Sequence, residues 1–141
     1  IATGERIFTK FGFSQLLEKA KVAVIQPDLG ICGGIMEGKK IAAMAEAHYI
    51  GVAPHSPYGP ILAAASLQLD ACIPNFIIQE YCSSFGEGIL KKPFEATDGY
   101  IEVPTGPGLG IEVDEEALAK RPYVPKDGPR LYHEDGSVAD W

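Results

Sequence analysis

Four short stretches, each closed by an ionisable side chain, recur along the chain: ATGER carries Glu5, IQPD ends in Asp28, VAPHS carries His55 and FIIQE ends in Glu80. Their spacings are 23, 27 and 25 residues. Each interval is long enough for one helix and the turn that returns the chain. A chain of this kind is a tandem of strand and helix units with one ionisable group at the C-terminal end of each strand.

The intervals support that reading. Phe13, Leu16, Leu17 and Ala20 recur at helical spacing and predict a helix over 13–20, with Lys19 and Lys21 suited to its last turn. Residues 22–27, VAVIQP, form a continuous apolar run, the pattern of a strand covered on both faces in a parallel sheet. The glycine-bearing loop LGICGG follows Asp28, and then a helix is expected over 35–48 with Ile41, Met44, Ala45 and His48 on one face. A short strand over 52–54 precedes Pro57, Gly59 and Pro60, and a proline in the first turn of the next helix, ILAAASLQLD, sacrifices no hydrogen bond. Pro74 and Asn75 then separate that helix from FIIQE, the fourth strand-like run. Alternation of this kind implies an α/β fold with right-handed parallel crossovers, and a (β/α) barrel keeps its catalytic groups at the C-terminal ends of its strands.

Beyond Glu80 the pattern changes. Glycines and prolines accumulate, YIEVPTGPGLGIEV reads as extended chain, and DEEALAKR reads as a short helix capped by Asp114. The sequence therefore divides into 1–80, four β/α units, and 81–141, an arm that packs on another surface. The GPGLG segment lacks the strand before and the helix after it that a phosphate loop requires, so it is read as a turn.

At 141 residues, with 46% hydrophobic and 22% charged, the chain is globular in composition. Its net charge of −7 argues against nucleic acid and against an anionic membrane surface as partners, since both require clustered Lys and Arg. No run approaches the ~20 apolar residues of a membrane helix. Cys32, Cys72 and Cys82 form neither a CxxC pair nor a metal-ligand spacing, and their odd count fits a reducing compartment, hence a cytoplasmic location. The first residues begin inside an apparent strand without an initiator Met or a leader, so a preceding segment is expected.

The chemistry rests on the four ionisable groups. A lone His55 is more often structural than catalytic. Adjacent parallel strands ending in Asp28 and His55, however, bring a carboxylate to an imidazole, which orients the ring for general acid or base work. Glu80, one strand further on, is either a solvated carboxylate at a loop start, a protonated group donating to developing negative charge, or the partner of a cation. Glu5 is open to an ion pair with Arg6, and by itself it lacks the further carboxylates that a magnesium ion needs. His48 is assigned to packing and His133 to the surface. Cys32 has no base spaced to activate it.

At these residues the chain resembles the C-terminal half of the enolase superfamily, in its mandelate racemase branch, and within it the acid sugar dehydratases of galactonate type. The stretches that carry the resemblance are ATGER, IQPDLGICGGI, MAEAH, APHSPYGP, LQLDACIPNFIIQE, PTGPGLGIEVDEEAL and HEDGSVADW, in order over nearly all of the chain. The resemblance implies the last four units of a TIM-type barrel, with the arm returning to an N-terminal capping domain. It further implies that Glu5 matches a Mg²⁺ ligand, that Asp28 and His55 match a dyad with His55 as base, and that Glu80 matches the carboxyl group facing an enediolate. The implied activity is a magnesium-dependent dehydration of an acid sugar, with a racemase or epimerase of the same branch, or a non-catalytic half-barrel, as alternatives. The implied partners are the missing N-terminal part of the same enzyme and further copies in a homo-oligomer. A complete barrel takes about 250 residues, so the first strands, the capping domain, two metal ligands and a general acid are expected outside these residues.

Overall fold

The computed structural model describes residues 1–83, 86–125 and 132–139. Strand β1 (Ala2–Thr3) leads to helix α1 (Thr9–Lys19), then to β2 (Val24–Ile25), α2 (Leu29–Cys32), α3 (Ile35–Ala47), β3 (Gly51–Val52), α4 (Pro60–Asp70) and α5 (Glu115–Ala119). The three strands form one parallel sheet in the order β1-β2-β3. Val24 pairs with both Ala2 and Gly51. The fourth run joins the far edge in parallel at one position, Val52 with Phe76. Four extended segments therefore lie side by side in chain order, as the tandem pattern predicts, although the regular pairing is only two residues long in each strand. The fold is α/β with a small parallel sheet.

Helix packing follows the apolar positions. In α1, Phe13 and Leu17 are buried one turn apart, and they join Ile25, Leu29, Cys32, Ile41, Ala42, Ala45, Val52, Leu69 and Ile73 in a single core. Full burial of a side chain such as Phe13 stabilises by about 1.5–3 kcal/mol. Helix α1 begins at Thr9, four residues before the predicted start, and its N-cap, Phe8, offers no side-chain acceptor. The carboxylate of Glu37, on α3, takes over that role by accepting from the Lys10 backbone N–H at 2.9 Å and from Lys10 Nζ at 3.1 Å. The Lys10 contacts, the backbone bond foremost, hold Glu37 below the ordinary carboxylate range. His48 departs from expectation: it is the exposed C-cap of α3 rather than a packed side chain. The turn at Tyr49 and Ile50 carries the chain away from the helix axis before His48 can reach the core.

Helix α4 opens on Pro60, as its sequence predicts, after Gly59 at φ 114. Asn75 fastens the fourth segment to the rest by donating to the carbonyls of Ala42 at 3.0 Å and Ile50 at 2.9 Å. In the arm, Leu90 bridges Val113 antiparallel, and the Asp114 side chain caps α5 by accepting from Ala117 N–H at 2.9 Å, as predicted. Gln68 of α4 ties the arm down by donating to the Pro104 carbonyl at 2.8 Å. GPGLG is a turn, with Gly110 N–H donating to the Pro107 carbonyl at 3.1 Å. His133 is exposed, as expected. The end of the HEDGSVADW motif, at 140–141, lies outside the described residues. Among the described residues no helix is long and apolar enough to cross a membrane.

Two residues make the packing testable. Gly4 sits at φ 129, and a Cβ there would lie 2.9 Å from Cε1 of the buried Phe13 ring. Gly4→Ala is expected to destabilise the protein by about 2–3 kcal/mol in urea denaturation, from backbone strain and overpacking together. Asp70, the last residue of α4, is buried with neither carboxylate oxygen hydrogen-bonded among the described residues, and loss of water raises its pKa from 3.8 to about 7. The folded state then binds more protons than the unfolded chain between those values. Stability is expected to fall as pH rises from about 4 to about 7 and to level off above, and Asp70→Asn is expected to flatten that part of the profile.

Candidate active site

The ends of β2, β3 and the fourth segment converge at one place. The offset of 27 residues that pairs Val24 with Gly51 persists past the strands, so that Asp28 bridges His55 in parallel. Asp28 Oδ2 lies 2.8 Å from His55 Nδ1, and Asp28 is completely buried. Its other oxygen, Oδ1, accepts from Gly30 N–H at 2.7 Å and caps the short helix α2. The LGICGG stretch, expected as a loop, thus contains a short helix. The signal was present in the Asp at its start and in Gly33, which closes it in a left-handed conformation at φ 119.

With Nδ1 committed to Asp28, the opposite nitrogen of the ring faces Glu80. His55 Nε2 stands 3.9 Å from Glu80 Oε2, and that same oxygen accepts from the Ser56 backbone N–H at 2.9 Å. The Gln79 side chain, donating to the Pro54 carbonyl at 3.1 Å, holds the two segments together just below. The His55 side chain is 19% exposed and that of Glu80 42%, so the pair opens to one side while its support is closed. Tyr58 lies edge-on to the imidazole, its ring centroid at 5.7 Å and its plane at 77°. Asp28, His55 and Glu80 are therefore brought together, a carboxylate orienting an imidazole whose second nitrogen lies beside a second carboxyl group. Such an arrangement can take up and return a proton.

Glu5 does not join them. At the end of β1, its Oε2 accepts from the Gly4 backbone N–H at 3.2 Å, and its Oε1 lies 3.8 Å from Arg6 Nε. Magnesium demands near-octahedral oxygen ligation, and among the described residues no three His, Cys, Asp or Glu side chains are grouped to hold a metal ion. Glu5 is one oxygen ligand of the right chemistry; the described residues by themselves do not make a magnesium site. Cys32 is buried beneath Asp28, and burial, with the Asp28 charge second, pushes its thiol up to about 11. The thiol stays protonated, which removes it as a nucleophile.

Known proteins resemble this chain along its whole length. The chain is 43% identical to a D-galactonate dehydratase from Cronobacter sakazakii and 42% identical to one from Variovorax paradoxus, in each case over all of this chain and 40% of the relative. It thus spans well under half the length of these curated relatives. Among solved structures, an enolase from Agrobacterium radiobacter bound to Na and L-malate superposes with a TM-score of 0.88 at 34% identity, over 97% of this chain and 39% of that one. A mandelate racemase/muconate lactonizing enzyme from Sulfitobacter sp. gives 0.82 at 42% identity, over 89% and 32%. The model of the enolase C-terminal domain-like family matches residues 1–117, which contain the Asp28, His55 and Glu80 cluster and Glu5, and the chain belongs to that family.

Proposed function

We propose that this chain supplies the proton-abstracting half of a magnesium-dependent acid sugar dehydratase of galactonate type, the rest of the catalytic machinery lying outside these 141 residues. The observation that carries the reading is the buried Asp28 carboxylate 2.8 Å from His55 Nδ1, with Nε2 3.9 Å from Glu80. The likeness to D-galactonate dehydratases over the full chain supports the substrate class.

In the proposed reaction His55 Nε2 accepts the proton from the carbon next to the substrate carboxylate. Asp28 holds the ring by Nδ1 and stabilises the imidazolium that forms, without itself taking the proton. Glu80, positioned by the Ser56 N–H, faces the oxygen on which negative charge develops and, in its protonated form, donates a hydrogen bond to it. The 3-hydroxyl then leaves as water with a proton from a general acid elsewhere in the enzyme, and the resulting enol becomes a 2-keto-3-deoxy acid. Glu5 is proposed to lend one oxygen to Mg²⁺ in a site completed by other parts of the enzyme. In this reading residues 1–80 are the last four units of the barrel and the arm from 81 onward returns to a capping domain.

The test is hydrogen exchange and product analysis in the enzyme that carries this chain. His55→Asn is expected to slow exchange of the substrate α-proton with D₂O by about 10²- to 10⁴-fold; undiminished exchange would remove His55 as the base. Formation of a 2-keto-3-deoxy acid identifies dehydration. Return of the substrate with inverted configuration and no ketone would identify epimerisation by the same dyad and overturn the dehydratase reading.

A further inference from the structure

Tyr58 lies in SPYG, the short connection between the base and helix α4, and is held on both sides. Pro57 restricts the backbone before it, and Gly59 at φ 114 begins the helix after it. Ser56, two residues earlier, is fixed through its N–H to Glu80. The Tyr58 ring is 63% exposed, yet it is not loose, because it meets the His55 ring edge-on at 5.7 Å. Edge-to-face contact is a favourable arrangement of two aromatic rings. It restrains the tilt of the imidazole, which the single bond from Nδ1 to Asp28 leaves open. The phenol hydroxyl has no hydrogen-bond partner among the described residues. The side chain thus sets an exposed phenol, both donor and acceptor, beside the His55 ring.

We propose that Tyr58 is a positioning and specificity residue: its ring steadies the His55 imidazole, and its hydroxyl hydrogen-bonds a hydroxyl of the polyhydroxy acid that lies over the base. The substrate part rests on the dehydratase reading above; the ring part does not. A polyhydroxy acid carries a hydroxyl on each carbon beyond the acidic one, so a phenol beside the base selects among such acids by where a hydroxyl falls. A site built to bond a particular hydroxyl discriminates against an analogue that lacks it.

Two variants of the enzyme that carries this chain separate the roles. Tyr58→Phe keeps the ring and removes the hydroxyl, and is expected to raise KM for the preferred acid about three- to tenfold without a matching fall in kcat. Tyr58→Leu removes the ring as well, and is expected to lower kcat about tenfold in addition. An unchanged KM in the first variant would overturn the hydroxyl's role, and an undiminished kcat in the second would overturn the ring's. NMR of the ¹³Cε1-labelled histidines reads the ring contact without substrate. The His55 signal is expected at the same ring-current-shifted position in the native protein and Tyr58→Phe, and displaced in Tyr58→Leu; no displacement would overturn the contact. If the native enzyme turns over no acid sugar, the dehydratase reading and the hydroxyl's role fall together, while the NMR result still decides the ring's.

Discussion

The Asp28 carboxylate is the contact on which the rest of the site depends. It is fully buried, and its two oxygens serve different partners. Oδ1 caps α2 through Gly30 N–H at 2.7 Å, and Oδ2 holds His55 Nδ1 at 2.8 Å. A buried carboxylate without partners is costly, whereas one that accepts from a helix N-terminus and a ring nitrogen is satisfied at both ends. The cap fixes the carboxylate against the helix, and the helix is fixed in turn by Leu29 and Cys32 in the core. The imidazole therefore takes its direction from the packing of α2, and a change in the core beneath Cys32 would be felt at Nε2.

Strand register explains why the three groups meet and the fourth stands aside. Between β2 and β3 the offset is 27 residues, and it is also the separation of Asp28 from His55, so the two side chains arrive level. Between β3 and the fourth segment, Val52 pairs with Phe76, and the same offset of 24 brings Glu80 level with Ser56. Glu80 thus meets the backbone of Ser56 and reaches the imidazole only across 3.9 Å. Between β1 and β2 the offset is 22, one residue less than the spacing of Glu5 from Asp28, and Glu5 bonds within its own turn.

Much of this was legible in the sequence, because it follows from periodicity and turn chemistry. The burial of Phe13 and Leu17, the opening of α4 at Pro60, the cap at Asp114 and the turn in GPGLG are local consequences of residue type and spacing. The meeting of Asp28 with His55 was legible too, since parallel neighbours of similar length end at similar heights. Features that depend on distant partners were not. Glu37 caps α1 from another helix, and no spacing within α1 announces it. His48 shares a helical face with Ile41 and Ala45, but it falls at the C-cap, where the chain is already turning away. The fourth run, FIIQE, reads as strand-like, yet Ile77 and Ile78 are 54% and 65% exposed and its pairing with β3 is a single bridge at Phe76. An apolar run records that a segment is suited to burial, and only the surrounding chain decides whether it is buried.

The same distinction separates the two halves of the proposed chemistry. The proton-transfer group is closed within residues 28–80: its orienting carboxylate, its ring and its facing carboxyl are held by hydrogen bonds among themselves and to the backbone of the same three segments. Its geometry follows the local strand register. The proposed metal group is the opposite case, because the carboxylate at the end of β1 bonds within its own turn and belongs to no group of three metal-ligating side chains among the described residues. In the proposed reaction, preorganisation for proton abstraction would thus belong to this segment of the fold, whereas placement of a substrate carboxylate over His55 would depend on ligands from outside these residues. In the proposed reaction the dyad is oriented independently of the substrate, and Tyr58, exposed and edge-on to the His55 ring, is where the two requirements would meet.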